Sequence, residues 1–263
     1  RDVTGVQTCA LPIFSGVTNA GFMLFAILLP KENGGSALFF YAVAYALSSI
    51  AAFAIAIAVS KYSGSEKFDA FKGLAHKHPV AALLLTFAML SIAGIPPFAG
   101  FFSKDQMLAE IFEHSKVLFV LALLVSLMTA FYMFRLFFLT FVGEFRGNDI
   151  VKNHVHESPK SMTIPLMILS GLSVVAGFIG FPHALGHQLG IHHWLDGFLA
   201  SSIKLQEANI SLNTELILMT ITIVLILSVV FAAKIIYINK KSVPEADEAA
   251  MPLFKEIAYN KFY

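Results

Sequence analysis

Charge is the component that this sequence has least of. Only 13% of its 263 residues are Asp, Glu, Lys or Arg, whereas an ordinary soluble domain carries about 25%. A water-soluble fold could not cover its surface with so few charges, so the composition excludes an ordinary soluble enzyme. The net charge of +1 also provides no basic surface for nucleic acid.

Cysteine is almost absent as well. The single thiol, Cys9, cannot form an internal disulfide or a cysteine-based zinc or iron–sulfur site. The sequence also lacks a phosphate-binding loop, a dinucleotide fingerprint and a nucleophile elbow. We therefore expect no redox centre and no nucleophilic active site within this chain.

Apolar residues are what the sequence has in abundance. They make up 57% of the chain, and the mean hydropathy is +0.75. A helix needs about 20 apolar residues to cross the hydrocarbon core, because its backbone must be paired internally. Full-length candidates for such helices, and a shorter segment before them at 14–29, predict an all-α, polytopic transmembrane bundle. The full-length candidates are 36–60, 79–112, 117–142, 163–181 and 214–238.

The basic residues outside these segments predict how the chain is oriented. When the connecting segments are assigned to alternate sides, most Lys and Arg residues fall in 61–78, 144–160 and 239–263, and few fall on the other side. The positive-inside rule places the Lys-rich side in the cytoplasm. We therefore expect a multi-pass membrane protein with its Lys-rich segments in the cytoplasm, and the start of an amphipathic cytoplasmic-surface segment at 244–263.

The segment 79–112 is interrupted at its middle by glycine and proline. Pro96 and Pro97 lack N–H groups, and Gly94 and Gly100 permit unusual backbone angles. Broken backbone within a membrane is tolerated only where protein or water covers it, and it commonly marks ion sites in transporters. The pattern predicts a discontinuous helix, with a proline kink of no function as the alternative.

Lys104 follows this interruption, about two turns before the end of the segment. An uncompensated lysine at the centre of a membrane helix costs about 2.5–3.5 kcal/mol. Burial opposes its charge and a nearby carboxylate supports it, so an amine held between these influences can bind and release a proton. We predict a proton path at Lys104, with Ser103 and Asp105 able to hold water beside it. A lysine at the rim of the bilayer, paired with Asp105, is the alternative.

Three further titratable residues lie at the outer end of the same segment. Glu110, Glu113 and His114 could carry protons away from Lys104. A solvated helix end is the alternative interpretation. The His-rich stretch 183–193 contains no carboxylate or cysteine that would complete a recognisable metal site, so we predict no metal there.

The residues around the interruption resemble a known family. Segment 90–105, with the sequence LSIAGIPPFAGFFSKD, closely resembles the broken-helix motif of the antiporter-like membrane subunits of respiratory complex I, the NADH-quinone oxidoreductase. Segments 126–146, 165–182 and 252–263 are similar to subunit L of that complex. The earlier residues look more like its subunit N, and this resemblance is carried by 20–24, 41–60 and 71–74.

This change of resemblance suggests a composite chain. Residues 1–13 look like a translated sequencing adapter, which predicts that they are not native. A join of two neighbouring genes within or just after 94–104 is one hypothesis, and a divergent subunit L is the other. The expected domains are an antiporter-like channel region at 14–113, transmembrane helices at 114–243 and the surface segment at 244–263.

The resemblance implies a function in proton transport. In that family Lys104 would match the lysine that ends the transmembrane proton path, and redox chemistry in other subunits would drive translocation and electron transport. The chain would bind no cofactor, because NADH, FMN, iron–sulfur clusters and quinone would reside in partner subunits. Its partners would be other complex I membrane subunits and the lipid bilayer. The alternatives are a subunit of a multisubunit sodium/proton antiporter and a non-conducting structural membrane subunit.

Overall fold

The computed structural model describes residues 7–29, 34–63, 79–141, 160–180, 198 and 211–239. Its regular elements within these ranges are helices, and they contain no strand. The helices are α1 (Gln7–Ile27), α2 (Gly34–Ser63), α3 (Pro79–Ala93), α4 (Ala99–His114), α5 (Lys116–Phe141), α6 (Lys160–Ile179) and α7 (Leu212–Lys234), which a π-helical turn (Ile235–Asn239) extends.

The prediction of an all-α multi-pass membrane protein is confirmed. Among the residues that the structure describes, three helical stretches are long and apolar enough to cross a membrane: Gly35–Ala58, Lys116–Phe138 and Leu212–Ile238. Two segments that we expected to be full-length are shorter than this. The segment 79–112 is divided between α3 and α4, and the apolar part of α6 is Thr163–Phe178.

Helix α2 lies at the centre of the packing. It contacts α3, α4 and α6, and also α1, whereas α5 packs against α3, α4 and α7. The buried face of α2 carries an alanine every seventh residue, and each is at most 1% exposed. Small side chains let helix backbones approach closely in a membrane. This stripe therefore explains how α2 accommodates so many neighbours, and it consists of Ala37, Ala44, Ala51 and Ala58.

The described helices expose many large apolar side chains and also bury several polar ones. Large apolar side chains point outward, including Val17, Met128 and Phe231, each more than 60% exposed. Polar side chains lie inside, among them Asn19 and Lys104. This arrangement suits a bundle whose solvent is hydrocarbon.

Several predicted features lie outside the described residues. These are most of the Lys-rich segments, the His-rich stretch 183–193 and the amphipathic segment 244–263. Helix α1 begins at Gln7, so the part of the predicted artefact that is described is helical and continuous with the residues that follow it. The predicted domain boundaries stay predictions.

Candidate functional site: a lysine at a broken helix

The interruption predicted from the glycines and prolines is present. Helix α3 ends at Ala93 and α4 begins at Ala99. Gly94 has a φ of 79°, in the left-handed region that residues with side chains rarely adopt. The Gly94 N–H donates to the Ser91 carbonyl oxygen at 3.0 Å, and the Pro96–Pro97 peptide bond is cis. The prediction of one discontinuous helix is confirmed.

The break frees a backbone acceptor at the end of α3. In a continuous helix the Ile92 carbonyl would accept a hydrogen bond from the N–H of residue 96. Pro96 has no N–H. The Ile92 oxygen therefore needs another donor, and it lies at the carboxyl end of a helix, where the backbone dipole is negative.

Lys104 supplies that donor. Its side chain is only 4% exposed, and Nζ donates to the Ile92 carbonyl oxygen at 2.7 Å. A positively charged amine is favoured at the carboxyl end of a helix. The first half-helix thus provides the contact that makes a buried amine tolerable in the second half-helix.

Gly94 provides the space for the lysine stem. A Cβ atom added to Gly94 would lie 3.1 Å from Cδ of Lys104 and 3.6 Å from its Nζ. The residue at position 94 is therefore restricted twice, by its backbone conformation and by the side chain that lies against it.

Ser91 and Gly100 hold the two half-helices together. A Cβ atom on Gly100 would lie 1.8 Å from the Ser91 carbonyl oxygen, so the two backbones are in direct contact. The Gly100 N–H donates to Ser91 Oγ at 3.4 Å. Ser48 of α2 joins from outside the broken helix, with its hydroxyl oxygen 2.7 Å from that of Ser91.

Ser103 and Asp105 flank the lysine but do not bind its amine. The Ser103 hydroxyl is fully buried and donates to the Gly100 carbonyl at 3.3 Å. Asp105 is 4% exposed, and it interacts electrostatically with Glu215 of α7. The arrangement therefore differs from a lysine–aspartate pair at the rim of the bilayer. Glu215 was not among the residues expected from the sequence.

The predicted exit residues lie along the remainder of α4. Glu110 is half-buried with its Oε2 atom enclosed, whereas Glu113 and His114 are exposed at the end of the helix. Titratable groups thus extend from the buried Lys104 to the surface. Their part in proton transfer stays a prediction.

Comparison with known proteins assigns the region that contains this site. Residues 11–129 match the family model described as the transmembrane region of NADH:quinone oxidoreductase and Mrp antiporter proteins. The match includes the break and Lys104. Residues 11–129, somewhat less than half of the chain, are thus similar to this antiporter-like family.

Individual relatives agree with this assignment. The chain is 34% identical over 212 residues to NAD(P)H-quinone oxidoreductase chain 5 of Picosynechococcus, in a match that covers 73% of the chain and 31% of that relative. It is 42% identical over 126 residues to the chloroplast subunit 5 of Chaetosphaeridium globosum, covering 46% of the chain and 19% of the relative. It is also 37% identical over 132 residues to NADH-quinone oxidoreductase subunit N of Flavobacterium psychrophilum, covering 50% and 29%.

These relatives confirm the resemblance to complex I membrane subunits. The chain spans less than a third of the length of each of the three. A match to 73% of the chain necessarily crosses the 94–104 motif, so the Picosynechococcus relative matches residues on both sides of the suspected join. The names of the three do not include subunit L, so that assignment and the join stay predictions.

A second buried polar region lies between α1, α2 and α5. Tyr41 donates to Asn19 Oδ1 at 2.7 Å, and Asn19 Nδ2 donates to the Ser15 carbonyl oxygen at 2.8 Å and to Ser15 Oγ at 3.1 Å. Tyr132 donates to Ser15 Oγ at 2.9 Å. We call Ser15, Asn19, Tyr41 and Tyr132 the hydroxyl cluster. These members are formally neutral.

Sequence reasoning missed the hydroxyl cluster and the Ser48–Ser91 contact. Uncharged polar residues in apolar helices give no periodic signal, and their partners are distant along the chain. The residue types offered a hint, because a buried Asn or Tyr in a membrane helix requires a hydrogen-bond partner. Metal ligation has no support in the described ranges, where no group of three His, Cys, Asp or Glu residues converges.

Proposed function

We propose that this chain translocates protons across the membrane as part of an NADH-quinone oxidoreductase, with Lys104 as the group that carries the proton. The observation that supports this proposal is the buried Lys104 amine bound to the Ile92 carbonyl at a helix break. The break lies within the region that matches the antiporter-like family.

The chemistry required of Lys104 is a reversible proton transfer. The ammonium form gives one proton to a neighbouring acceptor and becomes a neutral amine, and it takes a proton from the other side to complete the cycle. The Ile92 carbonyl stabilises the charged form, while burial opposes it. Because these two effects act against each other, a modest change in the surroundings can move the proton.

The carboxylates of α4 provide the onward route in this proposal. Asp105 lies next to Lys104 in sequence, and with Ser103 it would hold water beside the amine. Glu110, Glu113 and His114 follow toward the exposed end of α4. Protons would leave through this end of the helix, while the Lys-rich loops lie in the cytoplasm.

The energy for this cycle would come from partner subunits. In our proposal other membrane subunits of the complex contact this chain. Subunits outside it hold NADH, FMN, iron–sulfur clusters and quinone, and the chain itself binds none of these. It would act as an electron-transport-coupled translocase in a bacterial-type cytoplasmic membrane.

Substitution of the lysine tests the proposal. In membrane vesicles that contain the assembled complex, Lys104→Ala should reduce the protons moved per electron to near background while NADH oxidation by the complex persists. Lys104→Arg should also impair pumping, because a guanidinium stays protonated. Lys116→Ala is the matched control, since Lys116 is exposed and binds the Phe112 carbonyl of the preceding turn. A normal proton-to-electron ratio in Lys104→Ala would refute the role of Lys104.

A second candidate function is sodium/proton antiport. The family model covers Mrp antiporters as well as the oxidoreductases, which supports this alternative. The same vesicles distinguish the two. Acidification driven by NADH supports the oxidoreductase, whereas acidification driven only by an imposed sodium gradient supports the antiporter. A complex that oxidises NADH normally and pumps equally well with or without Lys104 indicates a structural subunit.

A further inference from the structure

Ser48 lies on the central helix α2, away from the broken helix in sequence. Its side chain is 1% exposed, and its hydroxyl donates to the Ala44 carbonyl oxygen at 2.8 Å. That bond would satisfy the hydroxyl within its own helix. The same oxygen nevertheless lies 2.7 Å from Ser91 Oγ, so Ser48 also reaches across to α3.

Ser91 forms hydrogen bonds with both the residues of the break and the start of the second half-helix. Its carbonyl oxygen accepts the Gly94 N–H, and its hydroxyl accepts the N–H of Gly100 at the start of α4. Its neighbour Ile92 carries the carbonyl that binds Lys104. A shift of Ser91 would therefore move the acceptor of the lysine and the start of the second half-helix together.

The Ser48–Ser91 contact is the side-chain hydrogen bond that fixes this residue to a continuous helix. The hydrogen bond of Ser91 with the Gly100 N–H is 3.4 Å long and joins the two halves of the broken helix to each other. By contrast, the 2.7 Å contact joins Ser91 to a helix of 30 residues. Ser48 thus ties the position of the break to a continuous helix.

We propose that Ser48 is a positioning residue of the Lys104 site. By holding Ser91, it keeps the Ile92 carbonyl at the place where the Lys104 amine binds it. This inference rests on the proposed function, because it assigns Ser48 an effect on proton transfer through Lys104. It does not require Ser48 to carry a proton.

The test compares two adjacent serines on α2. We expect Ser48→Ala to lower the proton-to-electron ratio in vesicles by up to about threefold. Loss of an interhelical hydrogen bond of average strength changes an equilibrium constant by about this factor, here the one between a held and a displaced Ile92 carbonyl. Ser49→Ala is the matched control, because Ser49 lies next to Ser48 but on a less buried part of the helix. It should pump normally.

A double variant separates positioning from independent effects. Ser91→Ala and Ser48→Ala remove the same hydrogen bond, so the double variant should lose no more pumping than Ser91→Ala alone. Ser48→Thr, which keeps the hydroxyl, should pump better than Ser48→Ala. If Ser48→Ala prevents assembly, Ser48→Cys keeps the size and a weak donor, and it should assemble with an intermediate ratio.

Three outcomes would overturn the inference. These are a normal ratio in Ser48→Ala, additive losses in the double variant, and equal losses in Ser48→Ala and Ser49→Ala. Lys104→Ala measured in the same vesicles distinguishes this failure from failure of the proposed function. If Lys104→Ala abolishes pumping and Ser48→Ala does not change it, Lys104 keeps its role and Ser48 has none.

Discussion

Two buried polar regions in this bundle satisfy their hydrogen-bonding groups in different ways. At the helix break, a lysine amine binds a backbone carbonyl that a proline has left without its helical partner. In the hydroxyl cluster, neutral side chains bind one another between helices that remain continuous. Both regions satisfy polar groups away from water, but only the first places an ionisable amine there.

The difference shows what a broken helix contributes to a membrane protein. In the interior of a regular helix each carbonyl already accepts a backbone N–H, so a side chain such as that of Ser48 can only share the oxygen with it. A neutral amide or hydroxyl can be satisfied by another side chain, as Asn19 is by Ser15 and Tyr41. A buried cation gains more from a carbonyl at a helix terminus, and the break creates such a terminus within the bundle.

The largest effect is expected when a substitution disrupts the helix break itself. In Gly100→Ala the new Cβ would lie 1.8 Å from a backbone oxygen, which no side-chain rotation can relieve. Overpacking usually costs about 1–3 kcal/mol, and we expect a cost at or above the top of this range. Assembled complex should fall sharply in native gels. Gly171→Ala, with no atom within 4 Å of the new Cβ, should assemble normally, and equal amounts of both variants would contradict the backbone contact.

An intermediate effect is expected when the hydroxyl cluster loses its central residue. Asn19→Leu removes the acceptor for Tyr41 and two donors to Ser15. A buried group left without its partner costs about 1–3 kcal/mol. The free energy of unfolding in mixed micelles should fall by this amount. Thr220→Val, whose exposed hydroxyl binds only a carbonyl of its own helix, should not change it. An unchanged free energy in Asn19→Leu would mean that the cluster does not stabilise the bundle.

The smallest effect on the free energy of unfolding is expected when the hydroxyl cluster loses a single hydroxyl. Tyr41→Phe removes one hydroxyl and leaves the ring packed against Phe22. Interhelical hydrogen bonds in membranes average about 0.6 kcal/mol, so the free energy of unfolding should fall by about this amount. The proton-to-electron ratio should not change, because the cluster lacks a charged group. A reduced ratio at full assembly would show that the cluster also takes part in proton transfer.

The sequence predicts local features of this bundle better than distant ones. The break follows from Gly94, Pro96 and Pro97, whose backbone restrictions act within a few residues, and the burial of Lys104 follows from its place in an apolar segment. The acceptor of Lys104 is only 12 residues away. Its identity could have been inferred by asking which carbonyl Pro96 leaves without an N–H.

Contacts between distant helices could not be predicted in this way. Ser48 and Ser91 are 43 residues apart, and Ser15 and Tyr132 are 117 apart. Their pairing depends on how apolar helices rotate against one another, and serines and tyrosines within such helices do not reveal which face is buried. The position of Glu215 near Asp105 likewise depends on the packing of α7.

The absence of a side chain at Gly94 ties its evolution to that of Lys104. The lysine stem lies where a side chain on residue 94 would project, so volume gained at one position must be given up at the other. Among many aligned relatives these two sites should therefore covary, with glycine at 94 wherever 104 is lysine. Chains with a bulkier residue at 94 should carry a shorter or uncharged residue at 104.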